Sequence, residues 1–408
     1  MGINCISKFL EKIHELIPNA FISTYIIFII KMDKILRIGI VANTAFNIYN
    51  FRLGLIKTLQ NKGYQVIAIA PADDYVAMLK EQQIDFVALK QLSRKGTNPI
   101  HDLRLCIELR KIYKQQQLDA VLQYTIKPNI YGTLAAKIVG VKAICTVTGL
   151  GYTFLNKGIA STIAHQLYKT AFSFAHKVLF QNTDDEQLFL QQKLVDKTKT
   201  IVVPGSGIDT QKFHPEYCTN KTNDSILRFL MIARFLKDKG IYEYVDAARQ
   251  ILQENKKVAF HLLGDIDPDN PSSIRKEELD QWIQSGIIHY DGYTKDTRPF
   301  ICASDCVVLP SYREGMPRVI LEGLAMGKPC ITTDAPGCKN SVEEEISGFI
   351  CKTADAKSLK TSMEKFLLLD ASKRMAMGVN ARKRAENIFS EKIVFQTYLD
   401  LLQKIRYS

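Results

Sequence analysis

No stretch of this 408-residue sequence offers the ~20 uninterrupted apolar residues that a membrane-crossing helix requires. The most apolar segment, residues 17–30 (IPNAFISTYIIFII), is shorter and is broken by Pro18, Asn19, Ser23 and Thr24. It lacks a small-residue cleavage site, which argues against a secretory signal. No CxxC pair occurs among the nine scattered cysteines, so a zinc ribbon or thioredoxin-type centre is excluded. The cysteines read as reduced thiols of a cytosolic protein. There is no low-complexity tract and no solenoid-length repeat. Hydrophobic residues make up 46% and charged residues 24%, the balance of a soluble globular chain long enough for two or three domains.

Acidic residues are scarce in one half. Residues 1–200 carry 25 Lys and Arg against 14 Asp and Glu, so they hold +11 of the total formal charge of +12. Such asymmetry points to an anionic partner: a membrane surface, a nucleic acid or a phosphorylated substrate. No zinc module, RRM signature or homeodomain pattern is present, so nucleic acid is not expected. Met32 opens MDKILRIGIVANT, which reads as the natural start of a first strand. Residues 1–31 read as an upstream extension or a short membrane-contacting arm.

From Ile35 short apolar runs alternate with amphipathic ones. Strand-like runs are Leu36–Ala42, Gln65–Ala70, Ala120–Gln123, Ala143–Thr148 and Lys177–Gln181. A second series comprises Ile201–Val203, Arg228–Ala233, Val258–Leu263, Ile287–Tyr290, Cys306–Pro310 and Cys330–Thr333. Helical patterns lie between them, among them Arg52–Lys62, His101–Gln115, Ile241–Glu254 and Pro317–Met326. Apolar strands alternating with helices predict parallel sheets built from right-handed crossovers. Two such series predict an α/β chain of two doubly wound domains, 32–203 and 204–390. The Gly-, Pro- and Ser-rich segment 204–215 (PGSGIDTQKFHP) marks the boundary. A last helix, roughly Glu391–Arg406 within 391–408, follows.

In open α/β sheets ligands bind beyond the carboxyl ends of strands, so the loops after the strand runs carry the functional candidates. After Arg228–Ala233 comes Arg234, with Lys239 just before the next helix. Cations beside the free N–H groups of a helix start suit a pyrophosphate. After Cys306–Pro310 comes a loop holding Glu314, Gly315, Met316 and Pro317, with Glu322 about a turn and a half into the following helix. Ionised carboxylates accept paired hydrogen bonds from vicinal hydroxyls, so one Glu suits a ribose and the other a sugar ring. Gly292 and Tyr293 are candidates for contact with a base, and Asp334–Gly337 for one cleft wall. Read by themselves, these features are also compatible with surface cations and ordinary helix carboxylates. Asp265, Asp267 and Asp269 do not form a calcium loop, because Asn270 and Lys276 stand where Gly and Glu are needed. They read as an acidic turn, and Asp184, Asp185 and Glu186 as a helix-start cluster.

The segment 314–337 (EGMPRVILEGLAMGKPCITTDAPG) carries the E-x7-E motif of retaining glycosyltransferase family 4, and ARFLKDKG (233–240) resembles that family's paired Arg and Lys. The chain from Met32 onward is similar to the branch of bacterial enzymes that build lipid-linked glycans. The shared segments are NTAFNIYNFR (43–52), SRKGTNP (93–99), YTIKPNIYG (124–132), VTGLGYTF (147–154) and GDIDPDNP (264–271). The resemblance implies a GT-B architecture of two Rossmann-like domains facing across a cleft, with the C-terminal helix crossing back to the first. It implies a nucleotide-sugar donor, Arg234 and Lys239 on the diphosphate, Glu322 on ribose and Glu314 at the donor sugar. It implies no cofactor and no divalent metal, since Arg and Lys supply the charge that steadies the departing diphosphate.

On the acceptor side Asn47, Arg52, Lys127, Thr148 and Gly149 are the candidates. Thr148 stands where many family members have His, so no catalytic His transfers to it. His165 and His176 read as ordinary helix residues, and no general base is assigned. The expected activity is transfer of a sugar, by family weight an N-acetylhexosamine from a UDP donor, to a polyprenyl-diphosphate-linked saccharide. Location at the inner face of the plasma membrane, held peripherally by the basic first half, is expected with it. A nucleotide-sugar 2-epimerase and a non-catalytic sugar-nucleotide-binding protein are the alternatives.

Overall fold

The structure, a computed structural model, describes residues 35–92, 98–150, 159–218, 225–254 and 257–407. The expected arm 1–31, residues 93–97 of SRKGTNP and residues 151–154 of VTGLGYTF lie outside the described residues. Seven parallel strands form the first sheet: β1 (Arg37–Val41), β2 (Gln65–Ala70), β3 (Asp85–Ala88), β4 (Ala120–Tyr124), β5 (Lys142–Val147), β6 (Lys177–Phe180) and β7 (Thr200–Val202), in the order β3-β2-β1-β4-β5-β6-β7. Six form the second: β8 (Leu227–Arg234), β9 (Val258–Asp265), β10 (His289–Tyr290), β11 (Cys306–Leu309), β12 (Cys330–Thr333) and β13 (Gly348–Cys351), in the order β10-β9-β8-β11-β12-β13. Strand order reverses beside the first strand of each sheet, between β1 and β4 and between β8 and β11. These are the switch points where a doubly wound sheet opens a crevice.

Helices cover both faces. In the first half they are α1 (Ala45–Asn61), α2 (Tyr75–Glu81), α3 (Pro99–Gln115), α4 (Thr133–Val139), α5 (Ile159–Phe174) and α6 (Thr183–Gln191). In the second they are α7 (Ile241–Glu254), α8 (Lys276–Gln284), α9 (Arg298–Ala303), α10 (Arg318–Ala325), α11 (Ala356–Leu368), α12 (Ala371–Asn387) and α13 (Glu391–Tyr407). Because both faces are covered, alternate strand residues enter opposite cores. Ile38 and Ile40 join one cluster and Val41 another. In the second sheet Phe229 and Met231 face one core while Leu230 and Ile232 face the other. Among the described residues no helix is long and apolar enough to cross a membrane.

Several expectations need correcting. Residues 201–203 do not open the second series, because β7 pairs with β6 at the edge of the first sheet. The strands β3 and β13 have no counterpart in the sequence reading; both are four-residue edge strands, too short for a clear period. The first helix begins at Ala45, not Arg52. Thr44 caps it by accepting the Asn47 N–H at 3.0 Å, and Ala45, Ile48, Arg52, Leu55 and Ile56 fall on its buried stripe. His176 lies in the turn after α5, not in a helix, with burial and then Lys142 lowering its pKa. The cysteines are not all thiols: Cys218 and Cys302 are bonded, with Cα atoms 4.9 Å apart across a sequence separation of 84. The fold brings the turn at Pro215–Tyr217 against α9, which spacing alone cannot reveal. Cys106, Cys145, Cys306, Cys330, Cys338 and Cys351 are free.

The chain passes between the domains twice. The outgoing passage bonds the returning one, Ile208 N–H to Phe389 O at 2.8 Å and Glu391 N–H to Ile208 O at 3.0 Å. Beyond it, α13 lies in the core of the first domain, burying Val394, Tyr398 and Leu402 and pairing Tyr398 Oη with Thr146 Oγ1 at 2.7 Å. Glu391 starts this helix wedged against Gly207, where a Cβ would lie 2.3 Å from the Glu391 Cα. Gly207 has φ +73, so glycine answers both the space and the backbone there.

Burial, then Asp209, raises the Glu391 carboxyl from 4.5 to about 7. The folded state therefore holds an extra proton between those values, and stability falls as pH rises through that window. Glu391→Gln abolishes the titration. Denaturant unfolding at about pH 5 and about pH 8 should show the variant gaining on the wild type at the higher pH. A flat or reversed difference would sink the assignment.

Candidate active site

The loops after β8 and β11 meet at the second switch point and are stitched together. Tyr312 N–H donates to Asp238 O at 2.9 Å and Ser311 Oγ to the same oxygen at 3.1 Å. The short 3-10 turn Lys237–Lys239 thereby aims Lys239 at the second loop, and its Nζ meets Glu314 Oε1 at 2.5 Å. Both side chains are mostly shielded, which strengthens the pair relative to one in water. Arg234, at the end of β8, is more exposed and pairs with Asp267 Oδ2 at 2.9 Å. The acidic turn 265–269 therefore supplies a counter-ion. Among the described residues no cluster of His, Cys, Asp and Glu is arranged to hold a metal ion.

Pro317 occupies the cap position before α10, accepting the Ile320 N–H at 3.0 Å, one residue outside the first turn expected for it. Glu322 is buried on that helix. Its Oε1 faces Arg318 Nε at 3.2 Å and its Oε2 accepts from Thr297 Oγ1 at 3.0 Å. Gly292 turns the loop after β10 with φ +77 and accepts the Gly264 N–H at 2.8 Å, leaving Tyr293 exposed. Thus Lys239 and Glu314 touch, while Arg234 and Glu322 hold other partners at the same carboxyl edge.

The same loop is gripped from the first domain. Asn182 caps α6 by accepting the Asp185 N–H at 2.8 Å and donates its Nδ2 to Gly315 O at 2.8 Å. The fully buried Asp185 carboxylate pairs with Arg313, and Asp184 with Lys339 at 2.7 Å. Burial raises the Asp185 carboxyl, against the opposing pull of Arg313 and Asn182. The cluster 184–186 starts a helix as expected, and two of its members also bridge the domains, which the sequence reading missed. The signal was an acid-rich helix start directly after the carboxyl end of β6, where a facing domain's cations can reach it. Thr148 and Gly149 lie here too: a Cβ on Gly315 would sit 2.3 Å from Thr148 O and 2.6 Å from Gln181 Oε1. Met316 packs on Gly205, and Arg318 reaches Asn50 O at 2.9 Å.

At the first switch point Val41 of β1 pairs with Gln123 of β4, and Asn43 and Thr125 follow these strands. The Oδ1 atoms of Asn43 and Asn47 and the Thr125 Oγ1 are buried and have no hydrogen-bond partner among the described residues. Buried polar atoms are rarely left so. Thr125 stands at φ +72, an uncommon conformation for a β-branched residue. Lys127 is paired with Asp102 at 2.8 Å, beside Tyr131 Oη on the same carboxylate at 2.9 Å. Arg52 departs from its expected acceptor position. It is 5% exposed, lies 3.8 Å over the Tyr124 ring and donates to Ser206 Oγ at 2.8 Å, because its place on the buried stripe of α1 turns it inward. A cavity of about 690 Å3 lies elsewhere, at the amino edge of the second sheet near Asp305 and Lys328, and includes none of these residues.

Two parallel doubly wound sheets, with loops from each carboxyl edge meeting around a cation–carboxylate cluster, define a GT-B enzyme. Residues 37–182 match the family described as Glycosyl transferase 4-like, and residues 219–384 match Glycosyl transferases group 1. The chain is 31% identical to the Campylobacter jejuni N,N'-diacetylbacillosaminyl-diphospho-undecaprenol alpha-1,3-N-acetylgalactosaminyltransferase, over 91% of its own length and 99% of the relative. It is 26% identical to the Escherichia coli UDP-Gal:alpha-D-GlcNAc-diphosphoundecaprenol alpha-1,3-galactosyltransferase, over 71% of its length and 76% of that protein. A Rickettsia africae glycosyltransferase structure superposes with a TM-score of 0.76 at 21% identity, covering 91% of this chain and 99% of that one. Anabaena Alr3699/HepE in complex with UDP superposes at 0.75 and 18% identity, over 91% and 100%. The chain therefore belongs to the family 4-type, group 1 glycosyltransferases.

Removing the Lys239 cation or the Glu322 carboxylate should lower kcat/KM about 100-fold, the scale set by losing one charge-stabilising group. Circular dichroism should stay native in Lys239→Ala and Glu322→Ala; wild-type kinetics in both folded variants refutes the site. Gly315→Ala tests the interdomain grip. Overpacking of about 1–3 kcal/mol at the Thr148 carbonyl should cut kcat/KM by roughly five- to 150-fold, and unchanged turnover would show that the loop tolerates separation.

Proposed function

We propose that the chain transfers an N-acetylhexosamine from a UDP-sugar to a polyprenyl-diphosphate-linked saccharide, retaining configuration, in the assembly of a bacterial surface or glycoprotein glycan. The observation that carries the reading is the Lys239–Glu314 pair, which joins two strand-end loops at the switch point facing the other domain. The named activities of the two relatives support the substrate classes. One acts on a diphospho-undecaprenol-linked sugar to add N-acetylgalactosamine, and the other uses UDP-Gal and a diphosphoundecaprenol-linked acceptor.

In this reading Arg234 and Lys239 take the donor diphosphate and release their carboxylate partners as it enters. Glu322 receives ribose hydroxyls, Glu314 the donor sugar, and the backbone at Gly292 and Tyr293 the base. Gly315, Met316 and Pro317 shape the wall of the sugar pocket. Asn43, Asn47 and Thr125 offer their oxygens to acceptor hydroxyls, with Lys127 near the acceptor phosphate and Thr148 and Gly149 at the junction of the two substrates. The bond from the anomeric carbon to the phosphate oxygen breaks. The acceptor oxygen bonds that carbon, and its proton passes to the leaving phosphate. The two cations compensate the developing charge, so the mechanism requires neither a metal nor a cofactor. The acceptor's lipid places the reaction at an anionic membrane surface, on the cytoplasmic side where nucleotide sugars are found.

The test is a panel of UDP-sugars with and without a polyprenyl-diphosphate-linked saccharide, read by mass spectrometry. Sugar added to the lipid-linked acceptor is the expected product. Donor epimerised without acceptor would establish a 2-epimerase instead, and donor bound but unchanged would establish a non-catalytic binder.

A further inference from the structure

The helix α3 buries Leu105, Leu109, Ile112 and Tyr113 against the first sheet, as a surface helix of a doubly wound domain should. Its outer face is unusual. Ile100, Leu103 and Ile107 follow one another at i, i+3 and i+7, so they form a single stripe, and they are 63%, 61% and 55% exposed. A face turned to water alone would be polar there. Continuing along the same side of the helix are Arg104, Arg110, Lys111 and Lys114, all exposed. The helix has two carboxylates, and neither opposes them on the surface. Asp102 is buried and bound to Lys127 and Tyr131. Glu108 accepts the Lys90 and Gln91 N–H groups at 2.9 Å each. The patch continues onto α4, where Ile138 is also exposed and shares a hollow of about 310 Å3 with Arg110 and Lys114.

We infer that this face of α3, continued by Ile138, is where the protein rests on an anionic lipid surface. Apolar side chains enter the acyl boundary while the basic ones meet headgroup phosphates, the pattern of an interfacial helix. Charge complementarity selects lipid over a second copy of the chain, which would set four like charges against each other. Position supports the choice. The first turn of α3 holds Asp102, whose partner Lys127 follows β4 at the first switch point, so the apolar stripe begins at the rim of the acceptor crevice. A diphosphate anchored in the membrane would reach that crevice without leaving the surface. The inference rests on the proposed lipid-linked acceptor, and it adds the docking face.

The experiment compares the full chain with Ile100→Glu/Leu103→Glu/Ile107→Glu and with Arg104→Gln/Arg110→Gln/Lys111→Gln/Lys114→Gln, after circular dichroism confirms folding. Flotation uses phosphatidylcholine vesicles with and without phosphatidylglycerol, at low and high salt. Transfer is measured both to a short-chain acceptor dissolved in detergent and to a long-chain acceptor in vesicles. The wild type should float with phosphatidylglycerol vesicles at low salt. The apolar variant should lose at least tenfold in vesicle partitioning and in transfer to embedded acceptor while keeping transfer to the dissolved one. The charge variant should lose the phosphatidylglycerol preference. Flotation of the apolar variant equal to wild type overturns the docking face, as does a wild type that transfers but never floats. A wild-type dimer converted to monomer by the apolar substitutions, with no flotation by either, overturns it in favour of a second copy. Flotation that depends on the stripe in a protein that transfers no sugar to either acceptor supports the docking face while removing the functional reading.

Discussion

Everything in the cleft depends on how one loop, residues 311–317, is held. It is a loop without regular structure, at the end of β11. Its geometry comes from neighbours: Lys239 from the adjoining loop, the Asp238 carbonyl beneath it, and Asn182 and Asp185 from the opposite domain. Each contact is a charge-assisted or buried hydrogen bond, so each is strongly directional in the shielded space between domains. The carboxylate of Glu314 and the carbonyl of Gly315 are consequently fixed by two bodies at once. A site built this way is complete only when both bodies are in register, which ties substrate assembly to the relative position of the domains.

Much of the cleft was legible because its residues obey a simple rule: they follow strands. Arg234, Lys239, Glu314 and Glu322 could be found from apolar runs and the position of a Gly-Met-Pro turn, with the family resemblance assigning their roles. The residues that escaped notice belong to the other domain. Nothing in the order Asn182-Thr183-Asp184-Asp185-Glu186 says that a helix cap also holds a carbonyl more than a hundred positions away, because the period of a helix reports only its own core. Arg52, read as an acceptor-side candidate, illustrates a different difficulty. A cation after a first strand suggests a ligand, but its register on α1 places it among Ile48, Leu55 and Ile56, where stacking on Tyr124 compensates for lost water. The Cys218–Cys302 bond was hidden in the same way, by contacts that only tertiary structure creates.

The two switch points have complementary chemistry. The second offers charge in opposed pairs, Arg234 with Asp267 and Lys239 with Glu314. The first offers oxygen atoms at Asn43, Asn47 and Thr125 that have no partner among the described residues. Ion pairs keep a cationic site neutral before its ligand comes, whereas unpartnered acceptors favour a ligand bearing donors. The contrast suits a charged substrate on one wall and a hydroxyl-rich one on the other.

The two passages between the domains run side by side, joined through Ile208 and the residues around Ser390. Two cords lashed at one point give the halves a common pivot beside the ion pair and hydrogen bond that join them at the 311–317 loop. Sliding one sheet past the other would tear that lashing, while swinging about it would leave the hydrogen bonds nearly intact. The molecule should therefore open like a book with a narrow spine. The loop at 311–317 packs against this spine through Met316 and Gly205, so a swing would move it less than the far rim of either sheet.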